Sequence, residues 1–64
     1  MKYHIVTATG TRVYADTLKE AKDKAKILSR EVGNAGIFVH DETGYVILII
    51  FYFNGKIEDV EELT

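Results

Sequence analysis

Residues 45–53 read YVILIIFYF, nine apolar or aromatic side chains in a row in a chain of 64 residues. A segment of that length with strong β-formers spans a sheet as one strand. It is about half of the ~20 residues that a membrane-spanning helix needs, so no membrane partner is expected. Side chains alternate between the two faces of a strand. Tyr45, Ile47, Ile49, Phe51 and Phe53 therefore point one way, and Val46, Leu48, Ile50 and Tyr52 the other. A sheet with one wet face shows polar residues on every second position. This strand shows none, so both of its faces call for cover.

The flanking sequence says what cover the chain itself can supply. KYHIVTA (2–8) and TRVYA (11–15) read as two strands joined at Thr9-Gly10. Thr17 and Glu20 form a capping box at a helix start. Leu18, Ala21, Ala25, Leu28 and Val32 then recur at spacings of 3, 4, 3 and 4, one narrow apolar stripe on a helix over 17–32. Gly33 is its stop. GIFVH (36–40) reads as a third strand. Asp41-Glu42-Thr43-Gly44 has the residues of a type I turn into strand four. Asn54-Gly55 is a two-residue hairpin signal, after which Lys56-Ile57-Glu58 allows a short fifth strand. The acidic end over 57–64 reads as a helical turn or a frayed tail. The expected fold is α+β: one domain over 1–64, a single antiparallel sheet of four to five strands in the order β-β-α-β-β, and one helix on one face.

One helix covers one sheet face. The other face, with Val6, Tyr14 and Phe38 added from neighbouring strands, is left apolar. Burying an Ile-sized side chain contributes roughly 1.5–3 kcal/mol, against a total stability of only about 5–15 kcal/mol. A second copy of the chain is the simplest cover, with Val46, Leu48, Ile50 and Tyr52 as the expected self-association residues. The alternative is the acidic tail folded back through Ile57, Val60 and Leu63. Ile27 lies about 140° from the helix stripe and is a further candidate contact.

Composition narrows the chemistry. Charged residues make up 28% of the chain and apolar ones 47%, an ordinary globular mix. Cysteine and proline are absent, so disulfides and thiolate metal sites are excluded. Residues 1–32 carry seven basic and four acidic side chains, and residues 33–64 one basic and six acidic. MKYHIVTATG lacks the pattern of a secretion signal, and a cytoplasmic location is expected, the host cytoplasm if the chain is phage-encoded. His40-Asp41-Glu42 is the densest group of acid, base and ligand side chains. It lies at a turn, and neighbouring strand residues point to opposite faces, so no catalytic residue, metal site or cofactor is expected. His4 reads as a half-buried or interface histidine. Lys19, Lys22, Lys26 and Arg30 fall within about 80° of helix arc and could track phosphates. Asp23 interrupts them, and a solvated helix face is the simpler reading. Glu58, Asp59, Glu61 and Glu62 could dock on a basic partner, or keep an apolar sheet edge soluble.

YADTLKEAKDKAK (14–26) resembles the strand-to-helix lead-in of HicB-type antitoxin N-terminal domains, in which a short strand runs into an x-T-x-x-E-A helix. From there through AGIFVHDETGYVI the chain resembles small uncharacterised bacterial and phage proteins with a β-β-α-β-β core. A DNA-binding second domain is not expected in these 64 residues, and strand four is not part of the antitoxin pattern, so no functional residue is expected to carry over. Together these readings lead to an expectation of a small non-enzymatic protein-binding module. It would work as a homodimer, in the manner of phage or mobile-element inhibitors of a host defence protein. Nucleic-acid binding through the basic helix stripe, or a structural assembly role, are the alternatives.

Overall fold

The computed structural model describes residues 2–63. The order of elements is β1 (Lys2–Thr7), β2 (Arg12–Ala15), α1 (Leu18–Val32), β3 (Asn34–His40), β4 (Val46–Phe53) and β5 (Lys56–Glu62). All neighbouring strands pair antiparallel in one sheet of order β2-β1-β3-β4-β5. The α+β expectation holds, with a full fifth strand.

The helix starts where its cap predicts. Thr17 is extended, and its hydroxyl accepts the Glu20 backbone N–H at 3.1 Å. This satisfies one of the free donors of the first turn. The residues pressed onto the sheet are Ala21, Ala25 and Ser29, at i, i+4 and i+8. Small side chains here let the helix lie close over β1 and β3. Leu18 and Leu28 flank the line, and Val32, in the last turn, stays partly exposed. Beneath them Ile5, Ile37 and Ile50 form a continuous cross-strand row, all buried.

Over its described residues the acidic C-terminal segment is a strand rather than a helical turn or a frayed tail; Thr64 lies outside the described residues. Asn54 and Gly55 both take positive φ, 50° and 86°, as a type I′ turn requires. This turn reverses the chain at Phe53↔Lys56, and pairing then runs on to Leu48↔Glu62. The long apolar β4 thus templates a seven-residue strand, which extends the sheet sideways rather than folding across it.

The β4 faces are the reverse of the expected assignment. Ala35↔Tyr52, Ile37↔Ile50 and Val39↔Leu48 place the even-numbered set under the helix. Ile50 and Tyr52 are each only 5% exposed. Leu48, Ile50 and Tyr52 are therefore core residues of one chain and not an uncovered patch. A bulge between Val39 and His40 shifts the register, so Val46 pairs with His40 and rejoins the open side. Sequence alone could not choose between two equally apolar sets. The choice is made by the pairing with β3, whose Ile37 faces the helix.

Candidate functional site: the open face of the sheet

The face away from the helix is built from four cross-strand rows. Tyr14, His4, Phe38, Ile49 and Glu61 form one row across all five strands. Arg12, Val6, Gly36, Phe51 and Asp59 form the next. Asn34, Phe53 and Lys56 form a shorter row beyond it, and His40 pairs with Val46 on the other side. Opposite residues of an antiparallel pair share a face, so these groups make one continuous surface. Val6, Phe38, Ile49 and Phe51 are half-buried by one another, while Tyr14 and Phe53 keep 62% and 57% of their surface exposed. Val6, Tyr14 and Phe38 are on this face, where the sequence placed them.

A hollow of about 490 Å³ opens in this face above Gly36, bordered by Val6, Phe38, Phe51 and Asp59. Gly36 is small here for a steric reason. A Cβ at this position would lie 3.2 Å from a ring carbon of Phe38 and 3.8 Å from one of Phe51. The two rings lean over the glycine and floor the hollow with apolar surface.

His4 sits at the other end of the face. Its ring stacks on Tyr14 with centroids 4.7 Å apart and planes 7° from parallel. Phe38 and His40 lie 6.4 Å and 6.1 Å away. Burial holds the His4 pKa below its ordinary value of 6.5, and the charge of Arg12 and then His40 push the same way. Its Nε2 is buried with no hydrogen-bond partner. The imidazole is neutral at pH 7 and acts as a flat, nearly apolar plate. His40 is held through Nδ1 against the Gly44 carbonyl at 3.1 Å. Asp41 is absorbed by its turn: its Oδ1 accepts from the Thr43 N–H, the Thr43 hydroxyl and the Tyr45 N–H. These bonds, the Thr43 hydroxyl first, hold its carboxyl below the usual range. Among the described residues no three potential metal-ligating side chains cluster.

The basic helix stripe lies on the helix, on the opposite side of the molecule. Lys19 pairs with Asp23 at 3.8 Å, both well exposed. Lys24 pairs with Glu20 at 3.0 Å and donates to the Tyr14 carbonyl at 2.9 Å. The Arg30 stem lies over Gly55. Lys22 and Lys26 are exposed, and Ile27, 56% exposed, lies further round the outer side of the helix. Glu58, Asp59, Glu61 and Glu62 line the β5 edge and are all exposed.

Sequence reasoning missed two groups. Ser29 is fully buried and joins the helix to the β4–β5 turn. Gly36 makes the hollow. Ser29 at the centre of the Ala21–Ala25 line was the available signal for the first; a glycine inside a strand was the signal for the second. Among the described residues no helix is long and apolar enough to cross a membrane. In comparisons with family models, curated proteins and solved structures, nothing matches this chain.

Proposed function

We propose that this chain is a small non-enzymatic protein-binding module that works as a homodimer through the open face of its sheet. A continuous aromatic and aliphatic surface on a domain this small supports the reading. Each Ile- or Phe-sized side chain taken out of water there contributes roughly 1.5–3 kcal/mol when burial is complete, and the four central residues start half-covered. A two-fold dimer brings the same surface twice and covers both copies at once. The dimer then presents two outer faces, each with Ile27, Lys22 and Lys26, for a further protein. In this reading its role is to bind and block or bridge that protein, as small inhibitors from phages and mobile elements do.

The test is solution mass by light scattering after size exclusion, with folding followed by circular dichroism. Wild type runs as a dimer at micromolar concentration. Ile49→Lys, on the open face, gives a folded monomer, and Ile27→Lys stays dimeric. Ile50→Lys puts an ammonium into the core and unfolds the chain. A wild-type monomer at micromolar concentration overturns the proposal.

A further inference from the structure

The open face keeps its charge at its two ends. In the row Arg12–Val6–Gly36–Phe51–Asp59, the basic group stands on β2, the acidic group on β5, and the middle is apolar. The row beside it ends in Tyr14 on β2 and in Glu61 on β5. Arg12 and Asp59 are four strand spacings apart, about 19 Å. They cannot pair within one chain.

We infer that the second copy docks on a two-fold axis that runs along β3 between the two sheets. This inference rests on the reading of the open face as the self-association surface. β3 is the middle strand of five, so the operation lays β2 of each copy over β5 of the other. Arg12 then faces Asp59 of the second copy, and symmetry makes that pair twice. Tyr14 faces Glu61, a hydroxyl against a carboxylate. Val6 lies over Phe51 and His4 over Ile49, apolar against apolar or neutral.

The competing axis runs across the strands. It lays each edge on its own copy, Arg12 towards Arg12 and Asp59 with Glu61 towards Asp59 with Glu61. Like charges brought together at an interface disfavour that arrangement; Lys56, which shares this face of β5 through its pairing with Phe53, can offset the acidic end only, and Arg12 towards Arg12 stays unrelieved. The shape of the face agrees with the first axis. Gly36 lies on β3, so the hollow of about 490 Å³, which opens towards the Thr7 and Asn34 end of the strands, borders the proposed axis. Two sheets packed face to face stand about 10 Å apart. The missing side chain leaves room for Phe38 and Phe51 of both copies where the two β3 strands face each other.

The experiment is a charge exchange. Arg12→Glu and Asp59→Lys are made singly and together, and dissociation constants are measured by sedimentation at low and high salt. Circular dichroism confirms folding. Each single variant places like charges in both pairs and weakens dimerisation about tenfold at low salt. High salt shrinks the difference. The double variant restores the wild-type constant. A one-to-one mixture of the two single variants forms heterodimers in preference to either homodimer. Because the positions are too far apart to meet within one chain, such recovery reports a contact between copies. A wild-type dimer whose single variants are unaffected, or weakened without recovery in the double variant, overturns this docking and leaves the face reading standing. A wild-type monomer overturns both.

Discussion

Ser29→Ala removes one oxygen from the most buried polar position of the fold, and its cost can be worked from two bonds. Ser29 has no exposed surface. Its Oγ accepts the Gly55 backbone N–H at 2.8 Å and donates to the Lys26 carbonyl at 3.1 Å. Gly55 is itself buried, and the methyl of alanine cannot replace the acceptor. A buried donor left unpaired costs about 1–3 kcal/mol. The lost bond to Lys26 matters less, since a helix carbonyl keeps its backbone partner. Alanine is also the better helix former, by about 0.5 kcal/mol. The net expectation is a loss of about 1–2 kcal/mol. For a 60–100-residue domain each 1 kcal/mol moves the melting temperature by about 4–8 °C, so a fall of about 5–15 °C follows. Thermal and urea unfolding at matched protein concentration measure it, because any dimer makes the midpoint concentration-dependent. The loss should be local as well: the Gly55 amide loses more protection than the Ile5 and Ile37 amides, which fall only with the global stability. A change in stability below about 0.5 kcal/mol, with Gly55 exchange unaltered, refutes the claim that this bond fastens the helix to the β4–β5 turn.

The remaining expectations concern the cap and the histidine. Thr17→Ala leaves the Glu20 N–H without its capping acceptor and costs about 1 kcal/mol by urea unfolding; Thr17→Ser should recover most of it. His4 has its folded-state pKa held below 6.5 by burial, Arg12 and His40. The unfolded chain therefore takes up the proton first, and the native state loses ground as protons are added. Stability is full above about pH 6.5, and declines as the pH falls through that value towards the lower folded-state pKa. Tyr14, Phe38, His40 and Arg12 are the groups recorded against His4, and no carboxylate is among them. Unfolding midpoints at pH 7.5 and pH 5 should separate in wild type and draw together in His4→Gln; equal midpoints in wild type contradict the burial argument.

What the sequence made legible was local. Thr17 and Glu20, the spacing of Leu18, Ala21, Ala25 and Leu28, and the Asn54-Gly55 turn each act within a few residues, and each stands where it was read. The β5 strand was under-read because EDVEEL is acidic and weakly β-forming by itself. It becomes a strand through pairing with β4, a contact that local propensity does not carry. The face assignment of β4 failed for a related reason. Alternation tells faces apart only when one of them is polar, and here Leu48, Ile50 and Tyr52 are as apolar as Ile49, Phe51 and Phe53. The decision rests on which residues of β3 lie opposite, and on a bulge at Val39 and His40.

The sheet could also have associated by its edges, and its residues argue for the face instead. β2 is a free edge only four residues long, and β5 is a free edge of seven. The helix packs chiefly over β1 and β3 and less over β4, and Ile57 and Val60 remain about half exposed on the helix side. By length and apolar content β5 invites another strand. Its charge opposes a second copy of itself. A two-fold β5–β5 pairing would set Glu58, Asp59, Glu61 and Glu62 of one chain among the same four of the other, and like charges across a strand pair are destabilising. The register break between Phe51 and Tyr52 also leaves Glu58 outside the ladder, a local twist of the kind that blunts edges. The acidic run thus closes the edge to self-pairing while its outward members, Asp59 and Glu61, stand at the border of the open face. One set of residues serves both ends: it discourages strand addition along β5, and it supplies the negative side of a face whose positive side, Arg12, lies at the far edge.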